Sequence, residues 1–197
     1  DIDGLRPSFE EALDHLINLK PDVIGISAVV STAYEYTKRI SLNIKEHLPN
    51  TTIILGGNLG ASAEILLKYT GVDFVSLGEG NNVIVEFMDT YISENANKSY
   101  VNVPSLVFLD KNQNLINTGY AKQISKEKIY DIDWKILEEY SKIENFFVPA
   151  NKSNLIESAF RLSDRAKEKH RQNKTIGTLV ASKGCVARCT FCHRWDK

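Results

Sequence analysis

The sequence predicts an α/β protein built on a parallel sheet, and three observations predict it. Short continuous apolar runs alternate with amphipathic segments from residue 8 to about residue 95. Only a few residues connect one element to the next. Prolines, glycines and hydroxyl or acidic residues stand where such elements begin and end. Alternation of this kind gives parallel strands with right-handed crossovers and helices on the faces of the sheet.

Residues 8–20 read as a helix: Ser8 can cap it, Glu10 and Glu11 suit its positive first turn, and Phe9, Leu13, Leu16 and Ile17 form an apolar stripe. Pro21 ends it. Val23-Ile24-Gly25-Ile26-Ser27-Ala28 is then expected as a strand buried on both faces. A second helix is predicted from about Thr32 to Leu48, with Thr32 and Glu35 as a capping box and Ala33, Tyr36, Ile40, Ile44 and Leu48 along one face. Pro49 closes it. Thr51–Leu55 is the next strand, running into Gly56-Gly57. Ser62 opens a short helix through Leu66 and Tyr69 that Gly71 stops. Asp73–Leu77 is a third strand, ending at Gly78-Glu79-Gly80, and a further helix spans Asn82 to about Asn95. Its inward Val83, Ile84, Phe87, Met88, Tyr91 and Ile92 are core material.

Ligands of parallel α/β sheets bind beyond the carboxyl ends of the strands. Ser27, Gly56-Gly57 and Gly78-Glu79-Gly80 stand at three such ends. They suit a floor where backbone approaches a large flat molecule; glycines that merely serve tight turns are the alternative.

Beyond residue 99 the period changes. Leu106–Leu109 and Leu115–Thr118 flank the turn-rich Asp110-Lys111-Asn112-Gln113-Asn114 and read as a β-hairpin. Asp133 can cap a short helix through Leu137, and residues 151–171 look helical. The basic end of that segment, with Arg165, Lys167, Lys169, Arg171 and Lys174, reads as a solvated face rather than an RNA-binding patch. Trp134 and Phe146-Phe147 are expected to pack.

All three cysteines lie within eight positions, as Cys185-x3-Cys189-x2-Cys192. A turn over these intervals brings three thiolates onto one soft metal centre. An iron–sulfur cluster held by three cysteines leaves one iron open to an outside ligand. Two readings compete with it: a Cys3His zinc site with His193 as fourth ligand, and a redox pair Cys189-Thr190-Phe191-Cys192 that leaves Cys185 unexplained.

Composition excludes other classes. The 197 residues are 43% hydrophobic and 25% charged with a net charge of −1, so nothing global argues for nucleic acid or a membrane surface. No apolar run approaches the ~18 residues that span a bilayer, and no signal peptide is visible. An odd, clustered set of cysteines argues against a disulfide framework and for the reducing cytoplasm.

Cys185-x3-Cys189-x-Phe191-Cys192 resembles the signature of the radical S-adenosylmethionine enzymes, and Thr178–Gly184 resembles the first barrel strand and glycine leading into that loop. The resemblance implies that Cys185, Cys189 and Cys192 hold a [4Fe–4S] cluster whose open iron binds S-adenosylmethionine. An electron then cleaves that cosubstrate to a 5′-deoxyadenosyl radical. It further implies that Phe191 shields the cluster and lines the adenine side, and that a flavodoxin or ferredoxin supplies the electron. The substrate is expected to be a small molecule or peptide.

The upstream segment is similar to the cobalamin-binding domain of one branch of that family. The similarity rests on Pro21–Ser27, Leu55-Gly56-Gly57 and Gly78-Glu79-Gly80. Ser27-Ala28-Val29 resembles the S-x-L element of cobalamin carriers, and 26 residues separate it from Gly56-Gly57. The resemblance implies that Ser27, Gly56 and Gly57 contact the nucleotide tail of cobalamin and that Gly78, Glu79 and Gly80 form a turn facing the corrin or the barrel. The sequence also departs from the pattern. None of His15, His47, His170 or His193 stands in a D-x-H-x-x-G element, Asn58-Leu59 replaces Pro-His, and Asn81 replaces Glu.

The expected organisation is a Rossmann-like cobalamin-binding domain over residues 1–98, its first strand lying upstream, and a connector over 99–175. The start of a radical S-adenosylmethionine partial (β/α) barrel follows over 176–197. A chain that begins at Asp1 and stops five residues after Cys192 is expected to be part of a longer enzyme and inactive alone. The resemblance implies methyl transfer to an unactivated carbon or related radical chemistry. Alternatives are the same chemistry beside an empty Rossmann domain, and a zinc-binding or corrinoid-carrier module without it. The lack of any cysteine before Cys185 disfavours the methylthiotransferase branch.

Overall fold

The structure, a computed structural model, describes residues 2–93, 99–122, 134–141, 148–149 and 175–176. The cysteine loop, Phe191, the 151–171 helix and the 178–181 strand lie outside the described residues.

Three parallel strands, β1 (Val23–Ser27), β2 (Thr52–Gly56) and β3 (Phe74–Ser76), stand side by side in chain order. Helices α2 (Phe9–Leu19), α3 (Ala33–His47), α4 (Ala63–Tyr69) and α5 (Gly80–Ile92) alternate with them. The expected hairpin is present as β4 (Leu106–Leu109) and β5 (Leu115–Asn117). It extends the same sheet, because β4 pairs antiparallel with β3. The five-stranded sheet is therefore mixed, with order β1-β2-β3-β4-β5. A second compact unit contains α1 (Ile2–Leu5), α6 (Trp134–Tyr140) and a two-residue antiparallel pair, β6 (Val148–Pro149) with β7 (Thr175–Ile176).

Local signals account for most boundaries. Ser8 forms the capping box of α2: its Oγ accepts from Glu11 N at 3.2 Å, and Glu11 Oε2 accepts from Ser8 N at 2.8 Å. Hydrogen bonding to the carboxyl from the Ser8 backbone N–H, and secondarily from the Ser8 hydroxyl, holds Glu11 below the usual range, since each favours its charged form. The Thr32–Glu35 box expected for α3 is absent. Thr32 already has helical backbone angles, φ −64° and ψ −18°, and its side chain makes no cap bond. A tight turn replaces the cap, with Ala33 N and Tyr34 N donating to the carbonyls of Val30 and Ser31.

Strand alternation sorts the core into two layers. Ile24, Ile53, Leu55, Val75, Leu77 and Val107 face the helices α2 to α4 and pack with Ile40, Ile44, Leu66 and Leu67. The opposite face carries Ile54, Phe74, Leu106 and Phe108, covered by Val83 and Phe87 of α5. Aromatic rings fill that second layer. Phe74 lies 5.1 Å from Phe87 and 4.6 Å from Tyr100, within the range of favourable ring pairs. Burial there pushes the Tyr100 hydroxyl pKa up.

Among the described residues only α5 packs on this face, and one helix does not cover five strands. The expectation that β1 is buried on both sides therefore fails: Ile24 is buried, but Gly25 and Ser27 are exposed. Among the described strands β1 lies at the edge, and α5 sits over β3 instead.

The amino ends of the strands are tied by one carboxylate. Asp73 Oδ2 accepts from Ile53 N at 2.7 Å and from Lys45 Nζ at 2.6 Å, and Lys45 also donates to Thr51 O at 2.7 Å. These bonds couple α3, β2 and β3 at the pole opposite the strand ends of interest. Among the described residues no helix is long and apolar enough to cross a membrane.

Removal of the ring at the centre of the aromatic layer tests this packing. Phe87 is fully buried, and Phe87→Ala is expected to lower stability by about 3–5 kcal/mol in urea denaturation.

Candidate functional site

The carboxyl ends of β1, β2 and β3 lie along one edge because the three strands run parallel. Register then decides which residues meet. Ser27 lies opposite Gly56, and Gly25 opposite Ile54. The pairing of Ile54 with Phe74 continues to set Gly56 beside Ser76. Side chains alternate along a strand, so Gly25, Ser27, Gly56 and Ser76 all belong to the face that α5 only partly covers.

That strip has almost no side chains. A Cβ built on Gly25 or on Gly56 would meet nothing within 4 Å. Ser27 is exposed beside them, and Val29 and Val30 follow as an exposed apolar loop, 59% and 57% accessible. The result is an open floor of sheet backbone with a hydroxyl on each side, Ser27 on one and Ser76 on the other.

Gly57 does different work from Gly56. The turns after β1 and β2 are clasped together: Ala28 N donates to Gly56 O at 3.0 Å, and Leu59 N donates to Ala28 O at 3.0 Å. Gly57 adopts φ +89°, and a Cβ there would stand 2.5 Å from Ala28 O and 2.9 Å from Ala28 C. No side chain fits. Gly57 is thus needed for the clasp, whereas Gly56 has room for a side chain and lacks one.

Gly78, Glu79 and Gly80 form the turn from β3 into α5. Gly78 takes the left-handed φ of +69°, Glu79 occupies the extended N-cap position of α5, and Gly80 begins the helix exposed. Leu77 N donates to Ser105 O at 2.7 Å, which fixes this turn to the segment leading into the hairpin.

The expected residues Ser27, Gly56, Gly57, Gly78, Glu79 and Gly80 thus share one end of the sheet. Cys185, Cys189, Cys192 and Phe191 fall outside the described residues. Among the described residues there is no group of three or more His, Cys, Asp or Glu side chains that could hold a metal ion. Reading by sequence missed two members of the strip. Gly25 was a visible break in an apolar run, and Ser76 the one hydroxyl within Phe74-Val75-Ser76-Leu77. Ser76 is only 6% accessible, and its Oγ has no hydrogen-bond partner among the described residues.

Residues 1–88 match the family model described as the B12 binding domain. That match spans 88 of the chain's 197 residues. The fold agrees, for the structure of the apo form of the cobalamin-dependent S-adenosylmethionine radical enzyme OxsB superposes with a TM-score of 0.55 at 17% identity. That likeness covers 67% of this chain and 18% of OxsB. The OxsB structure with aqua-cobalamin and S-adenosylmethionine bound gives a TM-score of 0.50 at 18% identity, over 59% of this chain and 16% of that one.

Two curated relatives are anaerobic magnesium-protoporphyrin IX monomethyl ester cyclases. The one from Cereibacter sphaeroides is 24% identical over 196 residues, and the one from Rubrivivax gelatinosus 23% identical over 193. Each match covers 95% of this chain but only 27% and 30% of the respective relative. The chain spans less than a third of their length.

The geometry at these strand ends fits the group that the matching family model is named for. Cobalamin has a nucleotide tail that needs a cleft where backbone is approachable and polar atoms can be met. The strip provides bare backbone at Gly25 and Gly56, an exposed hydroxyl at Ser27, and a buried hydroxyl at Ser76 without a partner.

The two adjacent glycines should respond oppositely to substitution. Gly57→Ala is expected to lower stability by about 1–3 kcal/mol, through its left-handed φ and the approach of Ala28. Gly56→Ala should stay within about 1 kcal/mol of the parent. Chemical denaturation of the two variants measures both.

Proposed function

We propose that this chain is the cobalamin-holding part, with the cluster loop, of a cytoplasmic radical S-adenosylmethionine enzyme. The single observation that carries the reading is the glycine-floored strip at the strand ends of the segment that matches the B12 binding domain model. The cysteine spacing and the fold shared with OxsB support the radical half.

In this reading Ser27 and the backbone at Gly56 hold the nucleotide tail, and Gly57 keeps their two turns clasped. The turn Gly78-Glu79-Gly80 faces the corrin or the barrel. Thiolates of Cys185, Cys189 and Cys192 would hold three irons of a [4Fe–4S] cluster, leaving the fourth for the amino and carboxylate groups of S-adenosylmethionine. Phe191 would exclude water from the cluster and line the adenine side. When bound, the cluster supplies the electron that cleaves S-adenosylmethionine to a 5′-deoxyadenosyl radical, and cobalamin supplies a methyl-carrying cobalt. The protein's own part is position and dryness. A flavodoxin or ferredoxin would deliver electrons, and the substrate would be a small molecule or peptide.

Methyl transfer to an unactivated carbon is one outcome of this machinery. Ring formation is a second, and one observation favours it: the two curated relatives are named as cyclases.

Two measurements on the complete protein test the proposal. Gly56→Val fills the floor, and is expected to weaken hydroxocobalamin binding at least about tenfold, or 1.4 kcal/mol, while the fold is kept. Unchanged affinity would remove the strip from the site. Anaerobic reconstitution should load about four irons per chain, and serine at Cys185, Cys189 or Cys192 should abolish uptake. About one zinc per chain without iron would favour the zinc-binding module instead.

A further inference from the structure

Ser76 is buried, and its Oγ meets no hydrogen-bond partner among the described residues. A hydroxyl in that position forfeits its bonds to water without replacement, so it destabilises the empty protein unless something arrives to complete it. Its place in the sheet says where that something lies. On one side Ser76 pairs with Leu106, which is fully buried in the aromatic layer under α5. On the other side the row continues to Gly56 and Ser27, over open space. Ser76 therefore marks the line at which the face changes from packed core to bare floor. Tyr36 Oη is the other such buried oxygen, but it belongs to the packing of α3 on α2, where its ring stacks edge-on at 5.6 Å from Phe9.

We infer that Ser76 is a further cofactor-binding residue, whose hydroxyl is completed by a polar atom of the nucleotide tail of cobalamin. This rests on the cobalamin reading above and adds to it the inner end of the cleft. The tail is the part of the molecule that fits. A group with so little solvent access is reached by a narrow substituent, whereas the broad corrin macrocycle has no room to enter. Ser27 and Ser76 then bracket the tail across the glycine floor, one hydroxyl at the mouth and one at the back. Ser76 is thereby a determinant of discrimination between corrinoids with and without a nucleotide.

The test compares the complete protein with Ser76→Ala, titrated by absorbance with hydroxocobalamin and with cobinamide, which lacks the nucleotide. Thermal melting of both proteins without ligand is recorded alongside. The variant is expected to melt at the same temperature as the parent or higher, because an unpartnered hydroxyl has been removed. Its affinity for hydroxocobalamin should fall about three- to tenfold, with affinity for cobinamide unchanged. A lower melting temperature of the empty variant would show that Ser76 has a structural partner and would overturn the inference. So would equal affinities for hydroxocobalamin, or an equal loss for both corrinoids. If the parent binds neither corrinoid, the cobalamin reading itself fails and this inference with it. If the parent binds and the variant matches it, only the role of Ser76 is lost.

Discussion

The clasp between two turns sets how the ends of β1 and β2 lie, and with them the candidate site. Ala28 donates to Gly56 and accepts from Leu59, both at 3.0 Å, and the bare Cα of Gly57 allows the approach. Without that closeness the ends of β1 and β2 would splay, and Ser27 would not sit level with Gly56. The clasp is made of backbone atoms, so its side chains are free to be small. Smallness is what leaves a floor.

Packing on the two faces is unequal, and the inequality serves the site. Among the described residues three helices cover one face with mostly aliphatic side chains, and one helix covers part of the other with an aromatic layer. Stability is concentrated in those layers and in the Asp73–Lys45 tie at the amino pole. The carboxyl pole carries the glycines, the left-handed turn at Gly78 and the exposed valines. Rigid support at one end and approachable backbone at the other is the usual division in α/β domains that bind ligands outside the strand ends.

Much of this arrangement was legible in the residues. Capping by Ser8, the stop at Pro21 and the apolar runs of β1 to β3 are local signals, and local signals survive folding. Three things were not legible. The Thr32–Glu35 pair has the right spacing for a capping box, yet the preceding turn satisfies the first amides of α3 with Val30 and Ser31 carbonyls. The apolar run of β1 suggested two covered faces, but coverage depends on where α5 lies, which is tertiary information. The hairpin read as a separate feature because nothing in Leu106–Thr118 reveals that β3 is its neighbour. Ser76 is the most instructive case. A lone serine in an apolar strand is a faint mark in the sequence, and only register and burial place it, unpartnered among the described residues, between the packed layer and the glycine strip. The three-cysteine loop is the reverse: plain as a motif, and outside the described residues.

The proposed cobalamin role depends on the strip at the strand ends being where the cofactor lies. Hydrogen–deuterium exchange of the complete protein with and without hydroxocobalamin measures this directly. The account predicts slowed exchange on ligand addition in the turns after β1 and β2 and in the first turn of α5, with α2 and α3 unchanged. Protection confined to the α2–α3 face, or no protection at the strand ends despite bound cobalamin, would contradict it.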